Sequence, residues 1–171
     1  MTPGSVGTPV PGYDIRIGED GDLWVRGPSL ARGYHNRPDL TAQRFVDGWF
    51  FSGDKFTRDS DGCLYYTGRS DEMFRVSGEW VSPIEVECAL IDHPAVLESA
   101  VVPYQEDSGL VRPKAFVVLK PGDPADSAEL QEFVRSRLAH YKSPRRIEFV
   151  AELPKTASGK IQRYKLREIS E

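Results

Sequence analysis

The sequence changes character at Gly68-Arg69-Ser70-Asp71, and this change constrains the possible folds more than any other feature of the chain. Before it, short runs of alternating apolar and polar residues are separated by Asp-Gly pairs, a pattern typical of strands joined by tight turns. Asp20-Gly21 and Asp61-Gly62 supply the positive-φ positions that tight hairpins need. The pattern predicts two β-hairpins with a short helical turn from Pro38 to Phe45 between them. The hairpin strands are residues 13–17 with 23–26 and residues 49–57 with 63–67.

After this boundary the sequence predicts helices as well as strands. Ser82-Pro83 followed by Glu85 is typical of a helix start, because serine can cap, proline suits the first turn and glutamate completes a capping box. A second helix is expected from Ser127, capped by Asp126, with an apolar stripe formed by Leu130, Phe133, Val134 and Leu138. Strands are predicted at residues 73–76, 96–102, 115–120 and 146–150. The resulting β-α-β-β-α-β order favours a small α+β domain.

Composition excludes several classes of protein. The 171 residues have a formal net charge of −4, and no apolar run approaches the ~20 residues needed to cross a bilayer. Residues 1–7 have neither the basic segment nor the apolar segment of a secretion signal, so we expect a cytoplasmic protein without a membrane partner. The mildly acidic balance disfavours nucleic-acid binding. The two cysteines and three histidines form no metal-binding pattern, so no metal ligand is expected.

A short basic loop follows the last predicted strand. Residues 153–163 combine turn-forming residues with three cations, Lys155, Lys160 and Arg163. The loop is not a Walker A phosphate loop, because Pro154 stands where its first glycine would fall and Ile161 replaces the hydroxyl residue. On the residues alone, a solvated basic loop and a phosphate or carboxylate site both fit.

Four segments in chain order resemble the acyl-adenylate-forming, AMP-binding superfamily. This superfamily includes acyl-CoA ligases, peptide-synthetase adenylation domains and luciferases. The resemblance extends from Pro3 to Arg167, and the parts around Gly78 and at 145–163 look most like benzoate–CoA ligases and related aryl-CoA ligases. The family's phosphate loop and acyl pocket precede this region in full-length members, so the resemblance is to the C-terminal portion only. The four segments are 49–54, 68–71, 76–87 and the loop of Lys160.

The resemblance implies two nucleotide contacts and a hinge. Asp54 matches the acid that holds the ATP ribose hydroxyls, a task suited to a carboxylate acceptor. Arg69 matches a second ATP or AMP contact, since its guanidinium can reach ribose or phosphate oxygens. Asp71 matches the hinge between a large N-terminal domain and a small C-terminal one. From the residues alone, Asp54 could equally cap a turn after Gly53, Arg69 could be a surface residue, and Asp71 could be an ordinary linker residue.

The resemblance also assigns a catalytic lysine and a thioester-forming site. Lys160 matches the lysine required for adenylation, where a compact positive charge can stabilise the approach of a carboxylate to the α-phosphate. Gly78 matches the residue beside the pantetheine tunnel, and its neighbours Ser77 and Glu79 are assigned to the same CoA-binding state. Without the resemblance, Gly78 could simply provide a positive-φ turn.

Together these assignments imply an AMP-forming carboxylate–CoA ligase for a small, aromatic acid such as benzoate, with ATP, CoA and nucleotide-held Mg²⁺. Residues 1–70 would be the β-rich distal part of the adenylating domain, and residues 71–171 the mobile α+β domain. The chain alone is expected to be inactive, and the sequence does not specify an oligomeric state. One alternative is an adenylation module that loads a carrier protein. Another is a non-catalytic remnant that binds nucleotide or a partner, which the missing acyl pocket favours.

Overall fold

The chain contains helices and strands in separate segments, which confirms the predicted α+β class. The structure of the protein is a computed structural model that describes residues 3–170. The chain divides between Asp71 and Glu72 into two compact units, Met1–Asp71 and Glu72–Glu171. Among residues 3–170, no helix combines the length and the apolar character needed to cross a membrane.

The first unit is a five-stranded sheet built around one long strand. Its elements are β1 (Asp14–Ile17), β2 (Asp22–Arg26), α1 (Pro38–Arg44), β3 (Phe45–Val46), β4 (Trp49–Arg58) and β5 (Leu64–Arg69). Strand β2 pairs antiparallel with β1 across the Asp20-Gly21 turn, and β4 pairs antiparallel with β5 across the Asp61-Gly62 turn. Both predicted hairpins and the short helix are therefore confirmed. The two-residue strand β3, which pairs with the start of β4, was not predicted.

The second unit is a three-stranded sheet with helices packed against it and a separate small hairpin. Its elements are β6 (Phe74–Val76), β7 (Glu79–Val81), α2 (Pro83–Ile91), β8 (Val96–Gln105), β9 (Val111–Leu119), α3 (Ser127–Arg135), β10 (Arg146–Phe149) and α4 (Arg163–Glu168). Strand β9 lies in the middle, antiparallel to β8 and parallel to β10. The β8–β9 hairpin is longer than predicted. The short elements β7 and α4 were not predicted at all.

Alternate residues of the second sheet face two different cores, as the pleat of a strand requires. Val101 and Val117 contribute to one core together with α2, α3 and the β6–β7 hairpin. Ala100, Val102 and Phe116 contribute to the other, which is closed by residues on either side of the basic loop, Leu153 and Leu166. Both faces of this sheet are therefore covered. Leu138 lies beyond the end of α3, yet it still packs against the first core.

Both predicted helix caps are present. The Ser82 hydroxyl accepts a hydrogen bond from the Glu85 backbone N–H at 3.3 Å, and the Asp126 carboxylate accepts one from the Glu129 N–H at 2.8 Å. Each bond satisfies one of the N–H groups that the first helical turn leaves unpaired. The Glu85 carboxylate also accepts from the Lys142 ammonium at 2.7 Å, which ties the start of α2 to the turn before β10.

Candidate active site

Asp54, Arg69 and Asp71 form one cluster at the end of the β4–β5 hairpin. Asp54 and Arg69 are register partners on the two strands. Arg69 Nη1 donates to Asp54 Oδ1 at 3.1 Å, and Arg69 Nε donates to Asp71 Oδ1 at 3.2 Å. The fold therefore brings the two predicted nucleotide residues together with the predicted hinge residue. The contact with Arg69 occupies one oxygen of the Asp54 carboxylate. The Asp54 side chain is 32% exposed.

Backbone geometry at Gly53 allows the cluster to form. Gly53 is buried with a φ of +78°, a conformation that residues with a side chain rarely adopt. A Cβ built on this residue would lie 2.7 Å from Arg44 Nη1 and 3.3 Å from Arg69 Nη2. The Ser70 N–H donates to the Gly53 carbonyl at 2.9 Å, and Ser52 Oγ accepts from the Asp54 N–H at 3.1 Å. The glycine thus makes room for two guanidinium groups beside Asp54.

The electrostatics of this cluster keep Arg69 charged. The hydrogen bond to Asp71 raises the pKa of the Arg69 guanidinium, partial burial opposes this, and the Asp71 charge and the contact with Asp54 raise the pKa further. The result is a fixed cation between two carboxylates. Such a group can donate to ribose or phosphate oxygens while Asp54 accepts from hydroxyl groups.

The predicted thioester residues lie on the tight turn of the β6–β7 hairpin. Ser77 has a φ of +52° and Gly78 a φ of +91°, the combination typical of a two-residue type I′ turn. A Cβ built on Gly78 would meet no atom of the described residues within 4 Å, so the turn is open on its outer side. Glu79 is exposed, and the Arg75 guanidinium stacks over the Trp80 ring at 4.5 Å.

Lys160 lies on a closed, exposed loop between β10 and α4. Lys155 and Ile161 form an isolated antiparallel bridge that closes the loop. Within it, the Thr156 N–H donates to the Lys160 carbonyl at 2.8 Å, and the Lys160 N–H donates to Thr156 Oγ1 at 3.1 Å. The Lys155 ammonium pairs with Glu98 at 2.5 Å. The loop backbone is therefore organised while the Lys160 side chain remains exposed.

The two predicted functional segments of the second unit are anchored on opposite faces of its sheet. Val76 and Val81 fix the Gly78 hairpin in the core shared with α2 and α3. Leu153, Ile161 and Leu166 fix the Lys160 loop against the other core. The fold therefore separates Lys160 from Gly78. Residues 3–170 contain no group of three or more His, Cys, Asp or Glu side chains arranged to hold a metal ion.

Comparison with known proteins identifies the second unit. Residues 85–160 match the AMP-binding enzyme C-terminal domain. The chain is 51% identical to a benzoate–CoA ligase of Thauera aromatica over 96% of its own length and 34% of that relative. It is 46% identical to a 4-hydroxybenzoate/benzoate–CoA ligase of Rhodopseudomonas palustris, again over 34% of that relative. Residues 85–160 therefore belong to the AMP-binding enzyme C-terminal domain family.

A solved structure supports the same conclusion. The anthranilate CoA ligase AuaEII, in complex with anthranoyl-AMP, superimposes with a TM-score of 0.90 and 43% identity, over 100% of this chain and 36% of that one. The chain thus spans about a third of the length of the relatives that it matches.

The structure also contains three largely buried ion pairs, formed by Lys55 and Arg163, that sequence reasoning missed. The Lys55 ammonium is paired with Asp22 at 2.9 Å, beside the Asp54 cluster. Arg163 pairs with Glu87 at 2.7 Å and with Glu72 at 3.3 Å. No local pattern in the sequence indicates any of the three, because the partners are 33, 76 and 91 residues apart in the order given.

Proposed function

We propose that this chain belongs to an AMP-forming carboxylate–CoA ligase. In the first half-reaction, a carboxylate oxygen attacks the α-phosphate of ATP, forming acyl-AMP and releasing pyrophosphate. In the second, the CoA thiol attacks the acyl carbon, forming the thioester and releasing AMP. Residues 1–70 would serve as the distal part of the adenylating domain, and residues 71–171 as a mobile domain that takes part in both steps.

The chemistry of the exposed cations and carboxylates suits these roles. We assign Lys160 to charge stabilisation in adenylation, because its side chain is exposed on an organised loop and bears a compact charge. We assign Asp54 and Arg69 to the ribose and phosphate groups of the nucleotide. ATP would arrive with Mg²⁺ on its phosphate oxygens. Because the described residues offer no cluster of ligands for the ion, we assign it no step in this chain.

The observation that carries the proposal is the separation of Lys160 and Gly78 on opposite faces of one sheet. A domain with this arrangement can present one face for adenylation and the other for thioester formation after a rotation about Asp71. Ser77, Gly78 and Glu79 would then approach the pantetheine arm. The small, open turn at Gly78 permits close approach of a ligand to the backbone.

An aromatic acid is the favoured substrate class. The names of two curated relatives specify benzoate or hydroxybenzoate, and the AuaEII complex holds anthranoyl-AMP. In the complete protein that carries this chain, we expect benzoate to give a higher kcat/KM than acetate or palmitate. A higher kcat/KM for either aliphatic acid would reject the aromatic assignment while leaving the ligase assignment intact.

The decisive experiment separates the two half-reactions. In the complete protein, we expect Lys160→Ala to slow acid-dependent ATP–pyrophosphate exchange by about 100-fold or more, the typical loss when one stabilising group is removed. Thioester formation from supplied benzoyl-AMP and CoA should change by less than about threefold, because Lys160 takes no part in that step.

Lys155→Ala is the matched control, since Lys155 lies in the same loop but pairs with Glu98. Equal losses in both half-reactions for Lys160→Ala would contradict its role. Release of product to a carrier protein but not to CoA would favour the carrier-loading alternative. Nucleotide binding without any exchange, in a complete protein whose intact mass equals the 19.2 kDa of this chain, would favour the non-catalytic alternative.

A further inference from the structure

A buried ionic network joins the Lys160 loop to the opposite face of the second unit's sheet. Arg163 is the first residue of α4 and lies two residues after Ile161, which closes the loop; its side chain is only 15% exposed. Its Nη2 donates to Glu87 Oε2 at 2.7 Å and its Nε donates to Glu87 Oε1 at 3.2 Å. This two-point contact fixes the direction of the guanidinium plane as well as its position.

The choice of an arginine here runs against local helix preferences. A cation in the first turn faces the positive end of the helix dipole, where acidic residues are favoured instead. Glu87 supplies the compensating charge from α2, and it is itself buried, with 9% side-chain exposure. The residue type at 163 is therefore explained by a contact between elements and not by the helix that contains it.

Glu87 also completes the edge of the sheet. Strand β8 is an edge strand, so the N–H groups on its outer side have no strand partner. The Glu87 carboxylate accepts from the Val101 N–H at 2.7 Å, while the Ser99 hydroxyl donates to the Glu87 carbonyl at 3.1 Å. Helix α2, packed on one face, and α4, packed on the other, thus meet at this edge.

The second carboxylate of the network lies next to the candidate hinge. Arg163 Nη1 donates to Glu72 Oε1 at 3.3 Å. Glu72 is the first residue of the second unit and follows Asp71 directly in the chain. The Arg163 guanidinium therefore contacts both the residue after the hinge candidate and helix α2. The Arg163 backbone continues the chain from the loop of Lys160.

We propose that Arg163 is a positioning residue for Lys160. Arg163 connects the loop, on one face of the sheet, to the chain after Asp71, on the other face, so that the two move as one rigid body. Rotation at Asp71 then moves the Lys160 ammonium by a defined amount. The proposal rests on the adenylation role of Lys160 proposed above. Arg163 itself is assigned no contact with substrate.

The test uses Arg163→Met and Arg163→Lys in the complete protein. Arg163→Met should lower the kcat of ATP–pyrophosphate exchange by about 10-fold or more, since small displacements of a catalytic group are costly. KM for ATP and the rate of thioester formation from benzoyl-AMP should each change by less than about threefold. Arg163→Lys, which keeps the charge but loses the fork, should fall between wild type and Arg163→Met.

A double variant separates positioning from simple folding. Glu87→Gln combined with Arg163→Met removes the charges of the Arg163–Glu87 pair but keeps an acceptor for the Val101 N–H. Glu72 also loses its contact with Arg163, but its side chain is 25% exposed and water can reach it, so thermal stability should be nearly retained. We expect its adenylation to stay about as slow as that of Arg163→Met. Recovery of wild-type adenylation in the double variant would overturn the proposal, and so would equal losses in both half-reactions. Lys165→Met, an exposed cation on the same helix, is the control and should behave as wild type.

Hydrogen exchange provides a second test of the positioning role that does not depend on enzyme activity. In Arg163→Met, the amides of residues 155–162 should exchange about 10-fold faster or more than in wild type, while those of β9 remain protected. Unchanged hydrogen exchange in the loop would overturn the positioning role even if the enzyme assay detects no activity. Absence of pyrophosphate exchange in the wild-type protein with any acid would instead reject the proposed function.

Discussion

At the scale of single residues, an ion pair with a buried lysine supports the cluster of Asp54, Arg69 and Asp71. Lys55 follows Asp54 in the chain and is only 6% exposed. Its ammonium contacts the Asp22 carboxylate at 2.9 Å and the Asp20 carbonyl at 2.7 Å. The Ser70 hydroxyl, between Arg69 and Asp71, donates to the same Asp22 oxygen at 2.6 Å. The two segments that carry the cluster are thus held by one carboxylate from a third strand.

The titration of Asp22 gives the first prediction. Burial alone would raise the pKa of Asp22, but the hydrogen bonds from Ser70 and Lys55 and the Lys55 charge lower it below the ordinary value of 3.8. A carboxylate with a depressed pKa stabilises the fold above its unfolded pKa, and the stabilisation is lost as the pH falls through the folded pKa. At pH 7, Asp22→Asn should therefore lower the free energy of unfolding by about 1–3 kcal/mol, because the Lys55 ammonium, which is only 6% exposed, loses its carboxylate partner.

Urea unfolding at several pH values measures this effect. The difference in unfolding free energy between wild type and Asp22→Asn should narrow as the pH is lowered below about 3.8. Asp14→Asn is the control, because it removes a carboxylate from the exposed ion pair with Arg26. A difference between wild type and Asp22→Asn that stays constant across this pH range would contradict the linkage to Asp22.

At the scale of elements, local signals decided which parts of the fold could be predicted. The Asp-Gly turns and the caps at Ser82 and Asp126 act over a few residues, so the sequence displays them directly. Strand β7 is three residues long with only Val81 buried, and α4 is six residues long with only Leu166 buried. Such elements are stabilised by packing and not by local propensity, so no periodicity indicates them.

The same distinction applies to the candidate site. The family resemblance supplied Asp54, Arg69 and Lys160 because they lie in recognisable segments of the sequence. Arg44 beside Gly53 and the network of Arg163 were missed, because their roles depend on contacts between segments far apart in the chain. Prediction from one sequence therefore named the residues to which the proposed function assigns chemistry, and it missed these contacts between distant segments.

The cap of α2 provides a prediction at the element scale. Ser82→Ala should lower the free energy of unfolding by about 1 kcal/mol, because the Glu85 N–H loses its acceptor at a position that is only 5% exposed. Thermal or urea unfolding of the complete protein measures the change. Ser108→Ala removes an exposed serine hydroxyl from a loop and is the matched control. Equal stability of the two variants would show that the cap contributes nothing.

At the scale of the whole molecule, the division between Asp71 and Glu72 separates the residues of the proposed chemistry into two sets. Asp54 and Arg69 belong to the first unit, while Lys160 and Gly78 belong to the second and lie on opposite faces of its sheet. Under the proposed function, the first set holds the nucleotide. The second unit presents the face of Lys160 for adenylation and then the face of Gly78 for thioester formation. The backbone at residue 71 would then have to change its torsion angles once in each half of the catalytic cycle.

The last prediction concerns a substitution that restricts the backbone at residue 71. Proline fixes φ near −65°, removes an N–H and limits the residue before it, so Asp71→Pro should impair rotation without removing any side chain assigned to either half-reaction. We expect overall benzoyl-CoA formation in the complete protein to fall by about 10-fold or more, because the conformational step becomes limiting. ATP–pyrophosphate exchange, which needs no switch of faces, should fall much less.

Asp71→Ala separates rotation from side-chain chemistry. Both substitutions remove the carboxylate that accepts from Arg69, but alanine leaves the backbone free to rotate. A hinge therefore predicts a large difference in overall turnover between the two variants. If Asp71→Pro turns over as fast as Asp71→Ala, the rotation takes place elsewhere, and the rigid body held by Arg163 cannot begin at Glu72.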